Sequence, residues 1–305
     1  MHTEPKVVII LLNFNQQKNI CECLESLSKI NYKNFQTILI DNCSTDNSWS
    51  FLIENYPDLL KFKTDENSGY TGGVNFGFKK AQEFNADYVL VLNPDTLVTE
   101  NFLTALVNGL ENDISAAAAG GLILTEHDKE KIWYAGGKLV PWRGLAVHFQ
   151  KGEILKNIKI TKIEYVNFLT GCMILFRVDL LKQIGEINEK FFLYLEDIEI
   201  SARMIKKGFK LLYIPDSIIY HKVFGEEDDI MKLYYSVRNR LLLINIMNKG
   251  LIRIISNLYF VIVIHGKLIY WRFMNKQFFV AASKGLDDYY TNNFHKGNGL
   301  DCFYK

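Results

Sequence analysis

The stretch VVIILLNFN at residues 7–15 defines the first element of the fold. Residues 7–12 are a continuous run of β-branched residues and leucine, which is typical of a strand buried on both faces. After it, apolar residues recur at i, i+4 and i+7 from Ile20, and this spacing predicts an amphipathic helix over residues 16–29. The chain therefore opens with a buried strand followed by a helix.

Strands and helices continue to alternate over the first hundred residues. The predicted elements are strands at residues 35–40, 59–63 and 88–92, a helix capped by Asp46 with Trp49, Leu52 and Ile53 on its inner face, and a helix carrying Val74, Phe78 and Ala81. Such alternation predicts an α/β fold with a Rossmann-like, mostly parallel sheet and helices on both faces. Ligands of these sheets bind beyond the carboxyl ends of the strands, where this chain carries polar sequences.

The second part of the chain is less regular. Residues 120–165 contain glycines and scattered charges, and we interpret them as loops and short strands. Strands are predicted at residues 173–176 and 211–214, and the helix between them ends at Gly208, a residue suited to the left-handed conformation after a helix. From Met231 the pattern is helical, basic and aromatic, which predicts a C-terminal helical extension.

Composition and charge exclude several classes of protein. The 305 residues are 49% hydrophobic and 23% charged, which indicates a globular chain of one large or two fused domains. The net charge of +1 argues against a nucleic-acid binder. The charge is uneven, because residues 231–305 carry 11 Lys and Arg against 3 Asp. Five cysteines without paired C-x-x-C spacing indicate neither a zinc site nor a disulfide framework, so we expect a reducing compartment.

The sequence argues against export and against a membrane span. The segment before Val7 lacks the basic start and the cleavage site of a secretory signal. The apolar stretch at residues 251–271 is interrupted by Arg253, Asn257, His265 and Lys267. About a dozen strongly apolar residues remain, whereas a span needs roughly 20. We therefore expect a cytoplasmic protein without a transmembrane helix.

Asp95 is a candidate metal ligand. It follows a buried strand in LVLNPDT, where Pro94 prevents further ladder pairing and leaves the carboxylate at the ligand edge of the sheet. Mg²⁺ commonly takes one or two protein carboxylates and completes its shell with substrate phosphates and water. A turn-stabilising Asp after Pro accounts for the same residue equally well.

Asp41 and the glycine-rich segment NSGYTGGVNFG are candidate nucleotide contacts. Asp41 can accept hydrogen bonds from a base or ribose, but an Asx-turn or helix cap with Ser44 and Asp46 is the simpler local explanation. The glycine-rich segment at residues 67–77 lacks the G-x-G-x-x-G pattern of dinucleotide-binding folds. Its glycines nevertheless allow a ligand to approach the backbone at the start of a helix.

A third candidate group is the acidic cluster Glu196, Asp197 and Glu199. It lies where a helix begins, and the positive end of the helix favours ionised carboxylates there. An ionised carboxylate facing a substrate hydroxyl can act as a general base, whereas capping is the more frequent use of acids at this position. His221 is either a metal ligand or a core histidine, and the local sequence slightly favours the core role.

Together these segments resemble glycosyltransferase family 2, the inverting GT-A sugar transferases, and within it the bacterial rhamnosyltransferase-like branch. The resemblance covers about residues 6–245 and rests on VVIILLNFN, IDNCSTDNS, NSGYTGGVNFG, LVLNPDT, TGCMILFR, FFLYLEDIEISARMIKKGFK and YYSVRNR. It implies a GT-A catalytic domain over residues 1–230, with a nucleotide-binding half at about 1–112 and an acceptor half at about 113–230. A basic, aromatic helical extension follows over residues 231–305.

The resemblance also implies roles for single residues. Asn13 and Asp41 would bind the base and ribose of a nucleotide-sugar, and Asn67, Gly69 and Asn75 would lie beside the nucleotide or sugar. Asp95, with His221 as a further candidate ligand, would hold Mg²⁺ or Mn²⁺ against the diphosphate. Asn93 replaces the first acid of the family's Asp-x-Asp, so metal affinity without the nucleotide should be weak. Asp197, in the pair with Glu196, would be the catalytic base.

The basic extension has two interpretations. Arg238 follows the acidic run at residues 226–229 and would either meet the donor's diphosphate or be a solvated helix charge. Beyond it, large apolar and aromatic residues mix with Lys and Arg, which is typical of a segment on an anionic membrane. The alternative, nearly as well supported, is a helical subdomain or homodimer face that packs these residues internally. A peripheral location at the inner face of the plasma membrane follows from the first interpretation.

The function that the resemblance implies is inverting transfer of a sugar onto a glycan or a lipid-diphosphate-linked glycan in bacterial surface polysaccharide synthesis. The branch favours L-rhamnose from dTDP-L-rhamnose, and galactofuranose or N-acetylhexosamine donors are the alternatives. A non-catalytic nucleotide-sugar-binding module is a weaker alternative. A nucleotide-dependent oxidoreductase would need a glycine fingerprint after the first strand, and NFNQQKN at residues 13–19 has none.

Overall fold

A central sheet organises the molecule in the computed structural model, which describes residues 4–158, 162–223, 230–294 and 296–297. The strands are β1 (Val7–Asn13), β2 (Phe35–Asp41), β3 (Leu60–Lys63), β4 (Tyr88–Leu92), β5 (Thr96–Val98), β6 (Ala116–Thr125), β7 (Ile132–Tyr134), β8 (Gly137–Val140), β9 (Leu145–His148), β10 (Glu164–Val166), β11 (Met173–Arg177) and β12 (Lys210–His221). The helices are α1 (Gln17–Leu27), α2 (Ser48–Asn55), α3 (Gly69–Gln82), α4 (Phe102–Glu111), α5 (Val178–Ile184), α6 (Glu196–Lys206), α7 (Ile230–Met247), α8 (Gly250–Met274) and α9 (Lys276–Tyr290).

The sheet is mostly parallel, as the sequence predicts. Its main path runs β10-β12-β6-β11-β4-β1-β2-β3, with β5 added to β12 and β7 added to β6. On this path β11 is antiparallel to both of its neighbours and β10 is antiparallel to β12, while the other pairs are parallel. The carboxyl ends of β1, β2 and β4 therefore lie together at one edge of the sheet.

The first half of the chain agrees closely with its sequence pattern. β1 and β4 are buried along almost their whole lengths, because their apolar residues face helices on both sides. The assignment of Ile53 to the inner face of α2 is wrong, since this side chain is 49% exposed. The buried face of this two-turn helix is instead formed by Ser48 and Leu52, which are four residues apart.

β6 is the main element that the sequence pattern misses. All ten of its residues are buried, although residues 120–165 were expected to form only loops and short strands. Its sequence AAAAGGLILT begins with small residues instead of the β-branched residues typical of strands. Small residues are needed here, because a Cβ atom on Gly121 would lie 2.2 Å from the carbonyl oxygen of Ser217. β12 likewise extends past the predicted end at residue 214 to His221, across a register shift.

The C-terminal helices pack on one another and on the rest of the chain. Val237 and Leu241 of α7 form a small apolar core with residues of α8 and α9. Asn248 donates a hydrogen bond to the carbonyl of Pro141 at 2.7 Å, and Arg240 donates one to the carbonyl of Arg143 at 2.7 Å. These bonds tie the helical region to the turn between β8 and β9. The acidic run at residues 226–229 lies outside the described residues.

α8 differs from what the sequence suggested for residues 251–271. It is a continuous helix of 25 residues, and among the described residues it alone is long and apolar enough, by length and composition, to cross a membrane. Core helices of soluble proteins meet the same criteria, but only 22% of the apolar window of α8 is buried. The helix therefore leaves a large apolar surface uncovered.

Candidate active site

Asn13 and Asp41 lie opposite each other at the ends of β1 and β2. The Asn13 amide donates to Asp41 Oδ2 at 2.8 Å, and Asp41 Oδ1 accepts from the backbone N–H of Ser44 at 3.0 Å. Both side chains are fully buried. This bond is a local side-chain-to-backbone contact with Ser44, but it reaches the third residue on, whereas an Asx-turn reaches the second. Asn13 and Asp41 shape the turn at this edge of the sheet, and their contact with a nucleotide stays a prediction.

Asn42, which the sequence analysis did not single out, joins this turn to the glycine-rich segment. Its amide nitrogen donates to Asn67 Oδ1 at 3.0 Å and to the carbonyl of Gly69 at 2.9 Å. Its Oδ1 accepts from the backbone N–H of Ser68 at 3.2 Å. Its position directly after a strand-ending Asp was the available signal. The predicted pair Asn67 and Gly69 is thus held against the carboxyl end of β2.

Gly69 begins α3 in a conformation that favours glycine. Its φ is +73°, and a Cβ atom there would lie 2.4 Å from the carbonyl oxygen of Phe192. That oxygen accepts a hydrogen bond from the backbone N–H of Thr71 at 3.2 Å. The start of α3 therefore touches the segment that precedes the acidic cluster.

Asn75 is buried between α3 and the segment before α6. It is 1% exposed, and it exchanges two hydrogen bonds with the backbone of Ile187, at 2.8 and 2.9 Å. Its amide also donates to Glu189 Oε1 at 3.0 Å. Because these bonds occupy both ends of the amide, Asn75 fastens α3 to the segment before α6, and a contact of Asn75 with the donor stays a prediction.

Asp95 and His221 are brought together by the pairing of β5 with β12. Thr96 lies opposite His221 in this ladder, so the preceding Asp95 faces the imidazole, with His221 Nε2 3.3 Å from Asp95 Oδ2. The Trp133 ring packs against the same imidazole at 4.6 Å between centroids. Asp95 Oδ1 and His221 Nδ1 are both buried and have no hydrogen-bond partner among the described residues. A fully satisfied core histidine therefore does not describe His221.

These two side chains fit a divalent cation that is completed by substrate. Within the described residues, no group of three or more His, Cys, Asp or Glu is arranged to hold a metal. A single carboxylate with an unpaired buried oxygen and a neighbouring imidazole suit a cation that takes its remaining ligands from phosphate and water. Asn93 stands two residues before Asp95, and its backbone N–H donates to the carbonyl of Cys172 at 2.9 Å.

The turn at Gly171 and Cys172 connects this pair to the acidic cluster. The backbone N–H of Gly171 donates to Asp197 Oδ2 at 3.0 Å, while the carbonyl of Cys172 binds Asn93. Tyr70, a residue that the sequence analysis passed over, donates its hydroxyl to the carbonyl of Gly171 at 2.9 Å. Asp197 and Asn93, which stands two residues before Asp95, are thus hydrogen-bonded to adjacent residues of one turn.

Asp197 and Glu196 have different surroundings. Asp197 is partly exposed, and its two oxygens accept from the backbone N–H groups of Gly171 and Ile198. Glu196 is buried beside Ile174, Ile187 and other apolar residues around a small cavity, and its Oε2 has no hydrogen-bond partner in the described part of the chain.

The two carboxyl groups therefore titrate differently from free acids. Burial and the nearby Asp197 raise the pKa of Glu196 above its ordinary range. Burial also raises the pKa of Asp197, although its backbone hydrogen bonds oppose the rise. The charged form of Glu196 is disfavoured by its apolar surroundings, whereas Asp197 has donors that support a negative charge. Of the two, Asp197 is the better placed as a base.

Arg238 is neither a solvated helix charge nor an open diphosphate contact. Its side chain is fully buried, and Nη2 donates to the carbonyl of Phe191 at 2.9 Å. The guanidinium also lies over the ring of Tyr235, 4.8 Å from its centroid. A contact with a diphosphate would require this group to leave its carbonyl partner, and that contact stays a prediction. Arg238 instead supports the segment before α6.

The chain is similar in sequence to proteins of known family and activity. The model of the family described as Glycosyl transferase family 2 matches residues 8–185. N-acetylglucosaminyl-diphospho-decaprenol L-rhamnosyltransferase of Mycobacterium tuberculosis is 25% identical over 241 residues, which cover 72% of this chain and 78% of the relative.

Solved structures show the same fold at low sequence identity. The mannosyltransferase PcManGT from Pyrobaculum calidifontis, in complex with GDP-Man and Mn²⁺, aligns with a TM-score of 0.57 and 16% identity, over 95% of this chain and 76% of that one. GalNAc-T7 with UDP, GalNAc and Mn²⁺ aligns with a TM-score of 0.62 and 18% identity, over 78% of this chain. The alignment spans about half of the GalNAc-T7 chain, 48%. The predicted GT-A architecture is confirmed.

Proposed function

This chain belongs to glycosyl transferase family 2 and is a nucleotide-sugar-dependent glycosyltransferase, and from this premise we propose that it transfers L-rhamnose from dTDP-L-rhamnose to a lipid-diphosphate-linked glycan. The observation that carries the proposal is that one turn holds both acidic regions: Gly171 bonds to Asp197, and Cys172 bonds to Asn93, two residues before Asp95. The name of one relative, an L-rhamnosyltransferase of a sugar-diphospho-decaprenol, supports L-rhamnose as the sugar and a lipid-diphosphate-linked glycan as the acceptor.

Asp197 is the proposed general base. Its backbone hydrogen bonds orient the carboxylate, and its partial exposure leaves it accessible to an acceptor hydroxyl. As the acceptor oxygen bonds to the anomeric carbon, Asp197 takes the hydroxyl proton, and the bond from that carbon to the diphosphate breaks on the opposite face. The nucleoside diphosphate leaves with the electron pair, and the configuration of the anomeric centre inverts.

The departing diphosphate is proposed to bind beside Asp95. Asp95 and His221 would hold Mg²⁺ or Mn²⁺ there, and such a cation, when bound, acts as a Lewis acid that stabilises the negative charge of the leaving group. The unpaired oxygen of Asp95 supports this assignment, because a buried carboxylate oxygen without a partner is costly. Asn93 supplies no second charge at this position, so we propose that donor and cation bind together.

The nucleotide is proposed to lie along the edge built by the turn after β2 and the start of α3. Asn67 and Gly69 are held there by Asn42, and the positive end of the helix dipole at the start of α3 favours an anionic ligand. Asn13 and Asp41 act by fixing the shape of this turn. A panel of nucleotide-sugars tested by thermal shift with Mg²⁺ or Mn²⁺ identifies the donor, because a true donor raises the Tm by mass action.

The panel has a clear expected result. dTDP-L-rhamnose should raise the Tm in the presence of the cation, and Asp95→Ala should remove the shift. A shift with a galactofuranose or N-acetylhexosamine donor and none with dTDP-L-rhamnose would contradict the proposed sugar while keeping the transferase. Hydrolysis of the donor without acceptor distinguishes an enzyme from a binding module.

We further propose that the outer face of α8 lies on an anionic membrane at the cytoplasmic side. The large apolar side chains exposed on this helix are Leu251, Ile252, Ile254, Ile255, Leu258, Ile262, Val263, Ile269, Tyr270, Phe273 and Met274. Arg253, Lys267 and Arg272 are also exposed on α8, which adds positive charge to this apolar face. An apolar face with interspersed cations suits anionic headgroups, and it would bring the active site to a lipid-linked acceptor.

Flotation with vesicles tests this surface. Vesicles with anionic lipid should carry the protein upward, and neutral vesicles should carry less of it. Ile255→Glu with Ile262→Glu should abolish flotation, whereas Ile114→Glu, at an isoleucine that is 85% exposed away from α8, should leave it unchanged. Absence of flotation together with a dimer in sedimentation, lost in the double variant, would assign the face to a second copy of the chain.

A further inference from the structure

The segment between α5 and α6, residues 185–195, ends in a run of strained backbone. Phe192, Tyr194 and Leu195 have φ values of 60°, 69° and 69°, in the left-handed region that non-glycine residues avoid. The segment leads directly into Glu196 and Asp197. Residues in such conformations persist only where the surrounding structure holds them.

This segment also touches the donor side of the site. The carbonyl of Phe192 accepts from the N–H of Thr71 near the start of α3, and it lies against Gly69. A change in this backbone would therefore move the proposed base relative to the proposed nucleotide edge. What fixes the strained run thus also fixes the distance between the two halves of the site.

Asn239 of α7 makes many of the hydrogen bonds that hold this strained run in place. It is fully buried, and its Nδ2 lies 2.8 Å from the carbonyl oxygen of Phe191, 2.8 Å from that of Leu193 and 2.9 Å from that of Tyr194. A buried amide nitrogen shared by three carbonyls of one strained run stabilises the curled path of that run. No other side-chain type of this size offers two donors at one nitrogen without a positive charge.

Arg238 orients this amide from behind. Its Nε donates to Asn239 Oδ1 at 3.0 Å, which turns the Asn239 nitrogen toward the carbonyls, and its Nη2 donates to the carbonyls of Phe191 and Lys190. Tyr234, one turn earlier on α7, lies 3.4 Å from Arg238 Nη1 and donates its hydroxyl to Asp288 of α9. The chain of contacts runs from α9 through α7 to the strained run.

We infer that Asn239, with Arg238 behind it, is a positioning residue for the catalytic base: the two side chains of the C-terminal helical region hold the backbone of residues 190–194 so that Asp197 faces the acceptor. The inference rests on the proposed role of Asp197. It makes the first helix of the extension part of the catalytic machinery, although neither side chain needs to touch substrate.

Asn239→Asp is the sharpest substitution. It keeps the size of the side chain but replaces the donating nitrogen with an oxygen that repels the three carbonyls. Asn239→Ala removes the bonds without adding charge and is the second variant if the aspartate does not fold. Asn245→Ala is the matched control. Asn245 is another asparagine of α7, half-buried, whose amide nitrogen also has three acceptors, on Leu241, Asn257 and Tyr289, away from the strained run.

Two readouts separate positioning from general stability. Amide hydrogen exchange over residues 191–199 should be faster in both Asn239 variants and unchanged in Asn245→Ala. With dTDP-L-rhamnose and a lipid-diphosphate-linked sugar, kcat should fall by about 10²-fold, as for a misplaced catalytic group, while the Kd of the donor changes by less than about 3-fold. The apparent pKa on the acid limb of the pH–rate profile, which reports the deprotonation of Asp197, should also shift.

Several results would overturn the inference. Unchanged exchange over residues 191–199 in Asn239→Ala would do so without any activity measurement, as would equal losses of kcat in Asn239→Ala and Asn245→Ala. If the wild-type chain transfers no sugar, the proposed function fails, and the exchange result still decides whether Asn239 holds this run.

Discussion

Replacing Asp197 by Asn removes the proposed base with little change in shape. In the wild-type protein Asp197 Oδ2 accepts from the Gly171 N–H at 3.0 Å and Oδ1 accepts from the Ile198 N–H at 2.8 Å. Asparagine keeps one oxygen, so its NH₂ group must face one of these two donors. The variant therefore loses one backbone hydrogen bond as well as the charge.

The expected magnitudes follow from these two losses. A buried N–H without an acceptor costs about 1–3 kcal/mol, while removal of a carboxylate whose pKa is raised by burial relieves part of that cost. We therefore expect Asp197→Asn to lower the free energy of unfolding by about 1 kcal/mol. Loss of general-base catalysis lowers rates by about 10²–10⁴, which is about 2.7–5.4 kcal/mol in the barrier. Catalysis should therefore suffer far more than stability.

The assay compares transfer rates with donor affinity from calorimetry, and Glu196→Gln is the matched variant. Glu196 is buried and its neutral form is favoured, so its amide analogue should lose much less activity than Asp197→Asn. Near-normal turnover in Asp197→Asn would remove this residue from the role of base. Equal losses in the two variants would refute the division of roles within the pair.

Three further predictions concern the metal, pH and the start of α3. Loss of a residue that only supports a metal ligand lowers metal affinity roughly 10–100-fold, so Asp95→Ala should weaken metal-dependent donor binding by at least this factor. Unchanged donor affinity in calorimetry with Mn²⁺ would exclude Asp95 as a metal ligand. The rate should rise with pH through the raised pKa of Asp197, because the base must be deprotonated, and a rate that is flat from pH 4 to 8 would contradict this. Gly69→Ala should cost more than about 1 kcal/mol in chemical denaturation, because its φ is positive and its Cβ would meet the Phe192 carbonyl. Gly266→Ala, where nothing lies within 4 Å, should be neutral or stabilising, and equal effects would contradict the close contact.

The parts of the fold that were predictable are those with strong local patterns. β1 and β4 are long apolar runs, and Gly208 ends the helix before it with a φ of +88°, as the sequence suggested. β6 was not predictable, because its alanines and glycines satisfy a tight approach to β12 that no local pattern records. This segment forms a strand because it is buried between neighbouring strands, and the intrinsic strand propensity of its residues does not predict it.

The acidic residues of the site were predictable from the sequence, but the partners that these residues contact were not. Asp95 stood out because it follows a buried strand, and Asp197 because it belongs to an acidic cluster at a helix start. The partner of Asp95, however, is set by the register of β5 on β12. Asn42 and Asn239 act on backbone carbonyls of remote segments, and such partners leave no mark in local spacing. Arg238 was singled out for its charge, yet the fold uses that charge on buried carbonyls.

The configuration of the transferred sugar tests the central claim most directly. With dTDP-L-rhamnose and a lipid-diphosphate-linked acceptor, the one-bond C1–H1 coupling of the product in NMR reports the configuration at the anomeric carbon. One displacement assisted by Asp197, with the diphosphate leaving beside Asp95, predicts a linkage of opposite configuration to the donor. A product that retains the donor's configuration would contradict a single cleft in which these two acids act on opposite sides of the reacting carbon.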